Sequence, residues 1–115
     1  MGENVRDILI ENIQEYFRNA LASEKRKEYN TAVTLYFKTL ASLSDLFIFI
    51  KEKIVPSSHS ERFRILEQRH PEIYAIIDKD FPFYQNSYHT KLNLEICEVI
   101  KKDVERLSEI LSINL

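Results

Sequence analysis

Arginine and histidine are the side chains of this sequence that are best suited to phosphate and proton-transfer chemistry. A histidine exchanges a proton near neutral pH, and an arginine holds a phosphate through paired, charged donors. Arg64 lies six positions before His70, and Arg69 lies directly before it. On one continuous helix six positions correspond to about 600° of rotation, so Arg64 and His70 would point to opposite sides. Only a bend at Pro71 would bring them together, and otherwise they are solvated surface charges.

A second candidate is the segment 84–89, which reads Tyr-Gln-Asn-Ser-Tyr-His before the last predicted helix. It combines aromatic stacking surfaces with amide and imidazole groups, at a helix N-terminus whose N–H groups favour anions. The ligand-binding residues predicted from this segment are Gln85, Asn86, Tyr88 and His89. The alternative is that Ser87 or Thr90 caps the last helix while Tyr84 and Tyr88 pack against the bundle.

The sequence offers little for metal or nucleophile chemistry. Glu67 and His70 form one Glu-x-x-His motif, whereas a di-metal helical bundle needs two such motifs and two further glutamates. Cys97 is the single cysteine, and its place beside Ile96 and Val99 predicts a buried, small apolar residue. A single glycine leaves no Gly-rich phosphate loop and no nucleophile elbow. We therefore expect no metal and no cofactor.

Length and composition predict one globular domain, residues 1–115. Hydrophobic residues make up 44% of the chain and charged residues 30%, which excludes wholesale disorder. The net charge of −2 gives no overall basic field toward nucleic acid. The longest apolar run, 46–50, is far shorter than a membrane span, and no secretory signal is visible, so we expect a cytoplasmic protein without a membrane partner. The many Ile, Lys and Glu residues are compatible with the composition of a thermophilic or archaeal protein.

Apolar residues recur at the three- and four-residue spacing of helix faces. This pattern predicts a helix over 5–27, a second up to about residue 54, a third from about residue 59 that bends before a short helix starting at Pro71, and a last helix over 90–113. Residues 78–89 are predicted to be a structured loop. Short connections between such helices predict an all-α, antiparallel up-down bundle of four to five helices.

Polar residues between these blocks predict where the helices begin. Asn30 or Thr31 is expected to cap the second helix, and Ser58 or Ser60 the third. The second helix is apolar over most of its circumference, so it is either the central helix or part of a subunit interface. Its off-stripe residues Phe37 and Phe49 are the predicted interface positions. The predicted core includes Leu40, Leu43, Ile96, Val104 and Leu107.

Three segments together resemble the HEPN domain family. Residues 28–33, Glu-Tyr-Asn-Thr-Ala-Val, followed by Leu-Tyr-Phe at 35–37, resemble the turn and second helix of that family. Ser58-His59-Ser60 resembles its Ser/Thr-His after the long second helix. The segment 84–89 occupies the place of its Arg-Asn-x-x-x-His motif. The resemblance covers about residues 10–112.

This resemblance implies a helical bundle that is commonly a homodimer. Many members are ribonucleases of toxin–antitoxin or defence systems, and others bind nucleotide or RNA or partner a minimal nucleotidyltransferase. Asn86 and His89 match the family's polar residue and, approximately, its histidine. Gln85 stands where the arginine should be, carries no charge, and cannot make the charged paired contact to phosphate.

We therefore predict a non-catalytic nucleotide- or RNA-binding module, a homodimer, with a nucleotidyltransferase as a candidate partner. One alternative is a metal-independent ribonuclease, with Arg64 or Arg69 on the phosphate and His70 or His89 as general acid or base. The other is a structural homodimer without a small ligand.

Overall fold

The computed structural model describes residues 4–115, so residues 1–3 of the predicted domain lie outside the described range. The chain forms five helices: α1 Val5–Lys25, α2 Tyr29–Glu52, α3 His59–Arg69, α4 Pro71–Asn86 and α5 Leu94–Leu111. Within residues 4–115 there is no strand. The all-α prediction is therefore confirmed, in a body of 39 × 31 × 23 Å.

The second helix, α2, is the centre of the bundle. It contacts each of the other four helices, and its buried residues lie on several sides. Phe37 is only 1% exposed, so the prediction that it faces a second subunit is wrong. Phe49 is half-buried beneath Lys53, whose ammonium nitrogen lies 5.7 Å from the ring centre. A helix that is surrounded by its own chain is apolar all round for that reason.

Among the described residues α2 is also the one helix long and apolar enough to cross a membrane. Of its most apolar window, 61% is buried inside the protein, which is typical of a core helix.

The beginning of α2 differs from the prediction. Its N-cap position is Glu28, and no side chain caps it. The Asn30 amide instead donates to the backbone oxygens of Ser87, at 2.9 Å, and Thr90, at 2.7 Å. Its side-chain oxygen accepts a hydrogen bond from the N–H of Leu92 at 2.9 Å. Asn30 therefore fixes the connection between α4 and α5 rather than starting a helix.

The bend between α3 and α4 follows the prediction. The Ser58 hydroxyl accepts a hydrogen bond from Glu61 N–H and caps α3. His70 ends α3 and precedes α4, and Pro71 takes the first position of α4, where its missing N–H costs no helical hydrogen bond.

The structured loop predicted for 78–89 is wrong, because α4 continues to Asn86 with Pro82 inside it. Proline removes one hydrogen bond of a helix and favours a break. Here the helix continues because Ile73, Ile77 and Phe81, spaced by four residues, pack into the core. Pro82 itself is exposed, away from that stripe.

The last helix starts four residues later than predicted. Asn93, not Ser87 or Thr90, caps α5 by accepting a hydrogen bond from Ile96 N–H at 3.1 Å. Ile96 is half-buried, although the sequence predicted a core position. The other predicted positions are confirmed as buried, together with Cys97: Leu40, Leu43, Val104 and Leu107.

Candidate functional site

Of the predicted catalytic residues, Arg69 and His70 lie together on Glu52, whereas Arg64 and His89 lie apart from them. His70 precedes α4 and His89 follows it, so the 16 residues of this helix, roughly 24 Å at 1.5 Å per residue, separate the two imidazoles. Arg64 is exposed in the middle of α3. A joint role of Arg64 with either histidine therefore has no intramolecular geometry to support it.

His70 belongs to a polar clamp between α2 and the bend before α4. Its Nε2 lies 2.6 Å from Glu52 Oε2, and Arg69 pairs with the other oxygen of Glu52. The His70 ring also meets Phe47 edge-on, with 5.0 Å between ring centres. The hydrogen bond from His70, followed by that from Arg69, lowers the pKa of Glu52. These contacts give His70 a structural role at the end of α2.

The predicted ligand-binding segment lies at the end of α4 and in the turn after it. Gln85, Asn86 and His89 are exposed, and Tyr88 is 69% exposed. The hydroxyls of Tyr84 and Tyr88 lie 3.0 Å apart, and this hydrogen bond is the main reason that the pKa of Tyr88 is raised. The segment therefore presents a fixed, exposed aromatic ring to solvent.

Beside this segment is a small cleft of about 190 Å³. Helices α2, α3 and α4 form it, with one residue from α1. Its lining residues are Tyr16, Phe37, Lys38, Ala41, Ser42, His59, Arg62 and Tyr84. Apart from Phe37, His59 and Tyr84, none of these belongs to a segment that was singled out in the sequence. The sequence signal for the cleft is the spacing of His59 and Arg62, which are three positions apart and therefore lie on one face of a helix.

Arg62 is fixed in the wall of this cleft by Asp45. Arg62 Nε lies 2.7 Å from Asp45 Oδ1, and Arg62 Nη2 lies 2.9 Å from Asp45 Oδ2. Both side chains are 11% exposed. This paired geometry holds the guanidinium plane in one orientation, as is usual for arginine and a carboxylate.

Arg62 in turn determines which nitrogen of His59 carries the proton. Arg62 Nη1 lies 2.7 Å from His59 Nδ1. Because a guanidinium group only donates, Nδ1 must accept, and His59 is neutral with its proton on Nε2. Burial against neighbouring rings, followed by the positive charges of Arg62 and Lys38, lowers the pKa of His59, which Asp45 opposes. His59 therefore enters the cleft as a neutral donor at pH 7.

Lys38 connects the cleft with the exposed ring of Tyr88. Its ammonium nitrogen lies 5.9 Å from the centre of the Tyr16 ring, and its charge acts on both His59 and Tyr88. Lys38 is exposed and forms no ion pair with any of residues 4–115.

Stacked aromatic rings form the apolar side of the site. The rings of Phe37 and Tyr84 are 4.9 Å apart and inclined by 15°, and Tyr88 meets Tyr84 at 5.8 Å. The arrangement thus offers a cation and a neutral N–H donor next to aromatic surface. It suits a ligand that has both an anionic group and a flat ring.

Comparison with known proteins finds no matching family model, curated protein or solved structure. The resemblance to HEPN domains accordingly stays a prediction. No group of three or more His, Cys, Asp or Glu within residues 4–115 is placed to bind a metal ion.

Proposed function

We propose that the protein binds a nucleotide or the phosphates of single-stranded RNA in this cleft, without cleaving the ligand. The observation that carries the proposal is the meeting of Lys38, His59 and Arg62 beside the ring of Tyr84. Lys38 supplies the positive charge, because the charge of Arg62 is balanced by Asp45. His59 Nε2–H supplies a hydrogen bond to a phosphate oxygen.

The exposed ring of Tyr88 is the proposed platform for a base. A hydrogen bond between the two hydroxyls ties it to Tyr84, and the charge of Lys38 acts on Tyr88. Stacking of a base on an aromatic side chain contributes about 1–3 kcal/mol and tolerates any base. The proposed ligand therefore places its phosphate toward His59 and its base on Tyr88. This assigns a binding role to Tyr88, as the sequence predicted, and moves the anion contact from Gln85 and His89 to the cleft.

The hydrogen bond between Arg62 and His59 favours binding over catalysis. A general base needs a nitrogen with a free lone pair within reach of the substrate proton. In His59, Nδ1 accepts from Arg62, and Nε2 already carries the proton. A metal-independent ribonuclease that uses His59 as its base would first have to break this bond.

Binding is tested by fluorescence anisotropy of a labelled single-stranded RNA, and by thermal shift with mononucleotides, over a range of salt concentrations. Lys38→Ala is expected to weaken binding and to reduce the slope of log K against log salt by about 0.7, the loss of one phosphate contact. Tyr88→Ala is expected to weaken binding at every salt concentration by about 1–3 kcal/mol with little change in slope.

The matched control is Lys102→Ala, which removes an exposed lysine of α5 that lines no part of the cleft. Equal losses in Lys38→Ala and Lys102→Ala would contradict the site. No binding of any ligand to the natural chain would favour the structural-homodimer alternative, and metal-independent RNA cleavage that is lost in His59→Ala would favour the ribonuclease.

Homodimerisation and a nucleotidyltransferase partner are part of the same proposal. An exposed group of apolar side chains, in the last turn of α2 and just after it, supports a protein partner. Ile50, Ile54 and Val55 are 38%, 43% and 40% exposed, respectively. Three neighbouring, partly exposed aliphatic side chains suit contact with another protein surface.

A further inference from the structure

Two carboxyl side chains meet between α4 and α5, outside the cleft. The Asp80 side chain is 0% exposed and the Asp103 side chain is 15% exposed. The ammonium nitrogen of Lys79 lies 2.8 Å from Asp103 Oδ2 and 3.9 Å from Asp80 Oδ1. One cation therefore faces two carboxyl groups, which leaves one negative charge unbalanced if both are ionised.

The oxygen atoms of this pair lack hydrogen-bond donors. Three oxygen atoms have no hydrogen-bond partner among residues 4–115: both carboxyl oxygens of Asp80, and Oδ2 of Asp103. Lys79 nevertheless lies 2.8 Å from Asp103 Oδ2 and balances its charge, so the carboxyl group left without a donor at hydrogen-bond distance is that of Asp80. Two ionised carboxylates only accept hydrogen bonds, so they cannot bond to each other. A buried carboxylate without donors is strongly disfavoured in its charged form.

We propose that Asp80 and Asp103 form a proton-binding site, in which one shared proton ties the packing of α4 against α5 to pH. A proton on Asp80 turns this side chain into an O–H donor to the carboxylate of Asp103. The same proton removes the unbalanced charge, while Lys79 continues to neutralise Asp103. The proposal is independent of the ligand cleft.

The surrounding charges agree with this assignment. Burial, followed by the hydrogen bond that a protonated Asp80 would donate to Asp103 and by the negative charge of Asp103, raises the pKa of Asp80 to about 8, and Lys79 opposes this rise. Arg106 of α5 acts on Lys79 in turn. The other helices that pack against α4, α2 and α3, contribute no charged group that acts on Asp80 within residues 4–115.

The direction of the pH effect follows from proton linkage. The folded chain keeps the proton of Asp80 up to about pH 8, whereas the unfolded chain releases it near pH 4, the ordinary value for aspartate. Between these values the folded state binds more protons, so its stability decreases as pH rises. Above the folded pKa both states have lost the proton, and this contribution becomes constant.

Urea unfolding of the full chain between about pH 5 and about pH 8 tests the proposal. The urea midpoint of the natural chain is expected to decrease over this range. Asp80→Asn replaces the O–H donor by an N–H donor of the same shape and is expected to remove most of the decrease. The matched control is Asp78→Asn, an exposed aspartate of the same helix, which is expected to retain it.

Carbon-13 NMR of the aspartate carboxyl groups tests the natural chain directly, so the outcome does not depend on folding of the variant. The Asp80 signal is expected to change near pH 8. A midpoint for Asp80 near pH 4, or the same pH profile for the Asp80 and Asp78 variants, would overturn the proposal. A second result would also overturn it. If millimolar Mg²⁺ or Ca²⁺ raised the urea midpoint of the natural chain but not that of Asp80→Asn, the pair would be a cation site.

Discussion

His59 illustrates how a single hydrogen bond determines the chemistry of a side chain. Packing places its ring centre 6.1 Å from Phe81 and 6.3 Å from both Phe37 and Tyr84. The residue nevertheless remains exposed to solvent. Because Nδ1 accepts from Arg62, the other ring nitrogen, Nε2, is a donor rather than a base. The residue is thereby suited to hold an oxyanion.

The lowered pKa of His59 predicts opposite pH effects on binding and on stability. Protonation adds a positive charge beside Lys38, so RNA affinity is expected to increase as pH falls from about 7.5 to about 5.5. RNA is the suitable probe because its phosphodiesters keep their charge over this range. Without ligand, the unfolded chain binds the proton of His59 more readily, so the contribution of His59 to the free energy of unfolding is expected to decrease below about pH 6.5. This contribution opposes that of Asp80 and is measured as the difference between the natural chain and His59→Gln.

His59→Gln provides the control for this pH dependence, because glutamine keeps an N–H donor and does not titrate. Anisotropy titrations of both proteins at the two pH values make the measurement. If the natural chain and His59→Gln respond equally to acid, the pH dependence arises elsewhere and His59 does not contact the phosphate.

At the scale of the helix, α4 is the element whose extent was hardest to predict from the sequence. The sequence around Pro82 contains aromatic and polar residues that are common in loops, and proline favours a break. The i, i+4 spacing of Ile73, Ile77 and Phe81 was the contrary signal, and burial of these side chains outweighs one missing hydrogen bond. By continuing to Asn86, α4 brings Tyr84 into the cleft.

This interpretation predicts that Pro82→Ala stabilises the protein. Alanine restores the helical hydrogen bond to Asp78 and has the highest helix propensity, which together should raise the free energy of unfolding by about 2 kcal/mol. Pro71→Ala is the matched control, since proline at the first helical position costs little. Urea unfolding of both variants makes the comparison. If Pro82→Ala is no more stable than Pro71→Ala, then Pro82 causes no strain in α4.

At the scale of the whole molecule, the central position of α2 changes which surface is available for a second subunit. Phe37 is part of the core, so it is no longer a candidate for the dimer interface. The exposed apolar group Ile50, Ile54 and Val55 remains. These residues follow one another near the end of α2, close to the clamp of Glu52 and His70.

We expect light scattering to give twice the mass of one chain, with Ile54→Glu shifting the protein to a folded monomer because a charge cannot be buried in an apolar contact. Val5→Glu, at a similarly exposed apolar residue of α1, is the control and should remain dimeric. A monomeric natural chain at micromolar concentration would contradict the homodimer. A dimer that Ile54→Glu leaves intact would place the interface elsewhere.

The sequence by itself determined α1 to α3, the start of α4 and the body of α5, because apolar spacing, the Ser58 cap and the proline at the start of α4 act over one or two turns. It also indicated that α2 is surrounded, but it did not distinguish its own chain from a second copy, since both bury apolar surface equally. Only the tertiary structure decided that Asn30 ties down the α4–α5 connection, and that Lys38 and Asp45 of α2 meet His59 and Arg62 of α3. These contacts join residues distant along the chain, and their geometry depends on how whole helices pack.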